Sequence, residues 1–295
     1  IPESILQKIA PSAELMDLSD LLEYLPEPEA DVHKSQRGHC MVIGGDLCFG
    51  GAAIMSAEAS LTTGSGLTSL VTRAEHITAS LARQPEIMAC AVASGQQLEP
   101  LLERPTVLVI GPGLGRSSWS EQLMQKALAS DLPMVVDADG LNIISEGRVV
   151  TNLQNINWIM TPHPGEAARL LDIPVAEIEA DRFSAVRRLQ EKYNAVVILK
   201  GAGTIVSAQN GQPIKVCPYG NSGMATGGMG DILSGVIGSL IAQGVDLQTA
   251  AELGCCLHSA AADMAVQEKG YKGLVATDIL PYLTDAMNQW GQELL

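Results

Sequence analysis

From Gly38 onward, short and wholly apolar runs alternate with longer stretches in which small and apolar residues recur at helical spacing. That alternation is the rhythm of β-α-β units around a parallel sheet. The runs at 40–43, 67–71, 107–110, 134–136, 158–160 and 196–199 read as strands. Most lack a polar position, so helices are expected on both faces of the sheet. Each run ends at a Gly, Asp, Thr or Lys turn. In an open α/β sheet the crevice beyond the carboxyl ends of the strands is where ligands bind, so these turns are where chemistry is sought. Two further runs, 204–207 and 214–216, flank Asn210-Gly211 and predict a hairpin after the parallel strands. Residues 1–30 are acidic, proline-punctuated and weakly periodic, and read as a lead-in or linker from an upstream domain. No repeat, low-complexity tract or linker divides the remainder, so 31–295 reads as one α/β domain.

Composition narrows the ligand. A chain of 295 residues with 46% hydrophobic content can bury a substantial core. A formal charge of −15 would repel nucleic acid and anionic membranes, so a polyanionic small ligand must be held by local features. With 29 glycines and only 3% aromatics, recognition should lean on backbone amides. The cysteines at 40, 48, 90, 217, 255 and 256 include no C-x-x-C pair, and no His spacing suggests zinc. They are expected to be reduced thiols, with Cys255 and Cys256 acting as small core residues. The longest uncharged apolar stretch, 232–245, is too short and glycine-rich to span a bilayer, and no signal-peptide pattern opens the chain. A soluble, cytoplasmic protein is expected.

The richest segment runs from Gly220 to Asp231, with five glycines in about a dozen residues. Ile232, Leu233, Val236, Ile237, Leu240 and Ile241 follow at helical spacing, and Gly244 is placed to stop the helix. The loop therefore feeds a helix N-terminus, where unpaired amides and the helix dipole favour phosphate. Asp231 could be a plain N-cap, but so many glycines beside a carboxylate favour an anion site. There Asp231 could accept a proton from a hydroxyl attacking a bound phosphate. The helix dipole is expected to lower its pKa and make it a weak base in the ground state.

Together with Thr161-Pro162-His163-Pro164-Gly165-Glu166, Lys200-Gly201-Ala202-Gly203-Thr204 and Gly111-Pro112-Gly113-Leu114-Gly115, the Asn221–Asp231 loop resembles the ADP/ATP-dependent NAD(P)H-hydrate dehydratases of the ribokinase-like superfamily. Gly44-Gly45-Asp46 with Gly51-Ala52-Ala53 is similar to that family's first β-α turn, and the likeness covers residue 33 to the C-terminus. The resemblance implies a ribokinase-like fold, a mostly parallel sheet with helices on both faces and a small hairpin. It implies a hydro-lyase that restores NADH or NADPH from the hydrates NADHX or NADPHX, using ADP or ATP with Mg²⁺. It assigns phosphate-binding amides to Gly227, Gly228 and Gly230 and the base to Asp231. Lys200, Gly201, Ala202, Gly203, Thr204 and Asn221 would bind the nucleotide. Ala52, Gly113, Gly115 and His163, with Asp231, would contact the hydrated cofactor. Glu166 would order Mg²⁺ through water, or else is simply a first-turn helix acid. Asp137 and Asn142 could order the crevice, although Asp-Ala-Asp-Gly is also an ordinary turn. An upstream epimerase domain and a homo-oligomer are further implications of the resemblance.

Three rivals remain at this level. A nicotinamide dehydrogenase would use Gly111-x-Gly113-x-Gly115 and Asp137, but the third glycine falls one residue early and the 223–231 loop is unexplained. A small-molecule kinase would share Asp231 and the anion site. A non-catalytic nucleotide sensor would gain nothing from a carboxylate facing phosphates. No Gly-Lys-Ser/Thr occurs, so a P-loop NTPase is unsupported.

Overall fold

The structure, a computed structural model, describes residues 12–26, 37–149, 153, 157–207 and 213–289. Its strands are β1 (Ala13–Leu15), β2 (His39–Ile43), β3 (Leu67–Thr72), β4 (Met88–Ala91), β5 (Val107–Ile110), β6 (Met134–Val136), β7 (Trp158–Met160), β8 (Val196–Leu199), β9 (Ile205–Val206) and β10 (Ile214–Val216). They form one sheet in the order β1-β10-β9-β8-β7-β6-β5-β2-β3-β4. From β8 to β4 every pairing is parallel, whereas β8, β9 and β10 pair antiparallel. The expected hairpin strands are therefore present, while its Asn210-Gly211 turn lies outside the described residues.

The helices are α1 (Leu18–Leu22), α2 (Gly50–Thr62), α3 (Ile77–Arg83), α4 (Gly95–Leu98), α5 (Ser118–Leu128), α6 (Ala138–Glu146), α7 (Pro164–Leu171), α8 (Val175–Ala180), α9 (Arg182–Tyr193), α10 (Met229–Ala242), α11 (Leu247–Lys269) and α12 (Leu280–Gln289). Alternate residues of each central strand enter different cores. Cys40, Val42, Val107, Val109, Val135 and Ile159 pack with α2, α10 and α11. Met41, Ile43, Leu108, Ile110, Val136 and Met160 pack with α5, α6, α7 and α9. This two-sided burial is why the strands read as unbroken apolar runs.

Two strands escaped the pattern. β4 reads Met-Ala-Cys-Ala, poor in β-branched residues, and sits half-exposed at one edge. β1 lies in the acidic lead-in and adds parallel to β10 at the other edge. Met16, Leu18 and Leu21 are buried, and the Leu18 amide donates to the Tyr219 hydroxyl at 3.1 Å. Residues 13–22 thus pair and pack with the same sheet and core as the rest of the chain.

The sheet and α2 fix where α10 begins. Gly235 approaches α2 so closely that a Cβ there would lie 2.0 Å from the Ser56 carbonyl oxygen. Ile232, Val236, Ile237 and Leu240 are fully buried, each contributing roughly 1.5–3 kcal/mol of apolar burial. The N-terminus of α10 is thereby held at the carboxyl ends of the central strands.

Candidate active site

Gly228 caps α10 with φ of 95°, a conformation that L side chains rarely adopt. A Cβ there would also meet Met55 Cε at 2.8 Å and the Ala276 Cβ at 2.9 Å. The Ile232 amide closes the first turn onto the Gly228 carbonyl at 3.0 Å. The amides of Met229, Gly230 and Asp231 precede any intrahelical acceptor, so they and the helix dipole are placed to receive an anion.

Lys200, at the end of β8, stands against this first turn. A Cβ on Gly230 would lie 3.1 Å from Lys200 Nζ and 3.6 Å from Asp137 Oδ2, so both groups stand in contact range of this turn. Lys200 Nζ donates to Asp137 Oδ1 at 2.7 Å, and the Thr161 hydroxyl donates to the same oxygen at 2.7 Å. Asp137 is almost fully buried and Lys200 one-fifth exposed. Burial alone would lower the Lys200 ammonium, but Asp137, Glu166 and Asp231 hold it above its ordinary value.

Asp231 departs from expectation. Burial, reinforced by Asp137, Asp139 and Glu166 and opposed by Lys200, pushes its carboxyl up to about 7. Desolvation and like charge therefore outweigh the helix dipole that was expected to lower it. The consequence is chemical: near neutral pH Asp231 can take up a proton and release it, as a general base requires.

A cavity of about 910 Å³ opens beside this group, lined by His163, Lys200 to Thr204, the 216–222 segment, Gly230, Cys255, His258 and Ser259. That volume suits a nucleotide-sized ligand. Arg182 shapes its wall by donating to the carbonyls of Leu199 at 3.0 Å, Ala202 at 2.8 Å and Gly203 at 3.1 Å. Asn221 accepts from the Gly223 amide at 2.9 Å and donates to Asp263 at 2.7 Å, which fixes the loop before α10.

His163 caps α7, its Nδ1 accepting from the Gly165 amide at 2.9 Å. The Glu166 carboxylate reaches back to the His163 amide at 2.8 Å, completing a reciprocal cap. The first-turn-acid reading of Glu166 is thus realised. Burial chiefly pushes its carboxyl up to about 7, whereas burial followed by Lys200 and Arg169 lowers the His163 imidazole. Among the described residues no group of three or more His, Cys, Asp or Glu side chains is placed to hold a metal. The described residues therefore build no side-chain cage for Mg²⁺.

Ala52, Gly113 and Gly115 form a second cluster and do not line the 910 Å³ cavity, nor do Gly227, Gly228 or Asp231. A Cβ on Gly113 would meet the Phe49 carbonyl at 2.4 Å and the Ala52 Cβ at 3.1 Å. The Asp46 amide donates to the Gly113 carbonyl at 2.7 Å, and the Gly115 amide donates to Asp139 at 2.9 Å. Asp46 also accepts from Ser117 at 2.8 Å and pairs with Arg73 at 2.7 Å. Helix α5 starts only after Ser117, so Gly115 does not open a helix as a dinucleotide fingerprint requires. Asn142 bridges Asp139 and Arg169. Arg182 and His258 carried no sequence signal, because isolated polar residues gain meaning only from what they face.

A glycine-started helix and a half-buried acid, placed where parallel strands end beside a hairpin, are arranged on a ribokinase-like fold. A ribokinase-like superfamily protein from Enterococcus faecalis superposes with a TM-score of 0.85 at 29% identity, covering 95% of this chain and 96% of that one. Within that class the chain belongs to the NAD(P)H-hydrate dehydratase family, which it matches over residues 40–285. It is 47% identical over 288 residues to the bifunctional NAD(P)H-hydrate repair enzyme Nnr of Coxiella burnetii, across 98% of this chain and 58% of that protein. The ADP/ATP-dependent NAD(P)H-hydrate dehydratase of Bacillus subtilis, co-crystallised with ATP/Mg²⁺, superposes with a TM-score of 0.83 at 25% identity over 94% of this chain and 98% of that one. The chain spans about half the length of the curated bifunctional relatives it matches.

Proposed function

We propose that this chain dehydrates NADHX or NADPHX to NADH or NADPH at the expense of ADP or ATP. The observation that carries the reading is Asp231, a half-buried carboxylate titrating near neutrality in the first turn of a helix whose free amides are placed to receive an anion. Family membership supplies the substrate class.

In the first step Asp231 takes the proton of the ring hydroxyl, and the oxygen attacks the terminal phosphorus of the nucleotide. The P–O bond to the departing AMP or ADP breaks. The amides of Gly228, Gly230 and neighbouring residues, together with Lys200, offset charge on the transferring phosphoryl group. In the second step the ring C–O bond breaks, phosphate leaves with the electron pair, and the adjacent ring carbon gives up a proton to restore the double bond. Phosphate is a far better leaving group than hydroxide, which is the purpose of the phosphorylation.

Lys200 to Thr204 and Asn221 would line the nucleotide, and Ala52, Gly113, Gly115 and His163 the hydrated cofactor. Magnesium, as in the B. subtilis co-crystal, would travel with the nucleotide phosphates and water. An epimerase partner domain, a cytoplasmic location and a homo-oligomer belong to the same proposal. No helix among the described residues is long and apolar enough to cross a membrane.

The test is nucleotide-dependent recovery of reduced-nicotinamide absorbance from the hydrate, with free phosphate released in equal amount. Recovery without nucleotide, or a stable phosphorylated product, would overturn the reading; the latter would favour the kinase.

A further inference from the structure

Asp137 follows β6 and caps α6, whose first residues are Ala138, Asp139 and Gly140; sequence alone leaves this Asp-Ala-Asp-Gly as an ordinary turn. Its geometry is not ordinary. Ala138 has φ of 46°, in the left-handed region that residues with a Cβ avoid. The carboxylates on either side of it are used in different places. Asp137 accepts from Lys200 and Thr161, and Asp139 accepts from the Gly115 amide at 2.9 Å and from Asn142 at 3.1 Å. Strain held between two hydrogen-bonded carboxylates is the pattern of a functional constraint.

We infer that this turn is a positioning element joining the two halves of the site. Asp137 holds the Lys200 ammonium against α10 and keeps it from closing on Asp231, while Asp139 sets the Gly115 amide in the loop assigned to the hydrated cofactor. The inference rests on the reading of Asp231 as the base. Asp231 is faced by Asp137 and Asp139 from this turn, by Glu166 from α7 and by Lys200 after β8. Lys200 in turn acts on His163 of α7 and His258 of α11. Without the charge on Asp137, the counter-ions left to Lys200 are Glu166 and Asp231. The ammonium then pairs with the base and withholds it from the substrate.

Asp137→Asn keeps the size and an acceptor oxygen but removes the charge. It should lower kcat at least about tenfold and move the acidic limb of the kcat profile to lower pH. ADP affinity, measured by calorimetry, should stay equal or tighten, because one negative charge beside the phosphates is gone. Asp139→Ala should raise KM for the hydrate about tenfold with ADP affinity unchanged, and Asp139→Asn, which can still accept from Gly115, should restore it.

A merely structural turn would instead weaken ADP binding in step with kcat and leave the pH profile in place, overturning the inference. So would Asp137→Asn turning over at the wild-type rate. Absence of nucleotide-dependent dehydration in the wild-type protein refutes the function itself. An active wild type with unaltered variants refutes only the role of the turn.

Discussion

Asp231→Asn separates the cost of a buried charge from its use. The side chain is half-buried, and its carboxyl is pushed from the ordinary 3.8 up to about 7, first by burial and then by Asp137. At roughly 1.4 kcal/mol per pH unit, the ionised carboxylate costs the folded state on the order of 4 kcal/mol at most, and about 2–4 after screening by solvent at the cavity mouth. The sign follows from linkage. Below about pH 4 the acid is protonated in both folded and unfolded chains, and its contribution to stability is fully present. Between about 4 and 7 the unfolded chain ionises while the folded one keeps its proton, so stability falls as pH rises. The carboxamide introduced by Asp231→Asn does not titrate, so urea unfolding across this range should show wild type losing about 2–4 kcal/mol relative to the variant, with the gap flat above pH 7–8. Glu166, also near 7, titrates in both proteins and cancels to first order. The variant should at the same time lose about 10²-fold or more in turnover, while wild-type activity rises with pH through about 7. A stability gap that does not change between pH 4 and 8 would refute the account of burial. Normal turnover by the variant would refute the base.

Gly235→Ala drives a Cβ to within 2.0 Å of the Ser56 carbonyl, so α2 and α10 must separate; a loss of about 1–3 kcal/mol is expected, and an unchanged urea midpoint would contradict it. Arg182→Ala frees the carbonyls of Leu199, Ala202 and Gly203, and should raise the nucleotide KM about tenfold with kcat nearly constant; equal loss in kcat would point to a different role. Gly228→Ala must leave its φ of 95° and collides with Met55 and Ala276, so ADP affinity measured by calorimetry should fall about tenfold or more.

Much of this protein is written locally. Apolar runs closed by turn residues mark six of the parallel strands, because a strand buried on both faces needs no polar position. The glycines from 220 to 230 and the helical spacing after Asp231 announce an anion-binding helix start, because that site is made of contiguous backbone. Edge strands β1 and β4 were illegible, since their partners rather than their own composition make them strands. The direction of the Asp231 shift could not be read either. The dipole is a property of its own helix and was foreseen, but the burial and the charges that overrule it come from Asp137, Asp139, Glu166 and Lys200. Those residues lie on other turns, tens of residues away in sequence. Sequence determined which backbone could hold a phosphate; only the folding together of distant strand ends decided that the acid beside it would titrate near neutrality.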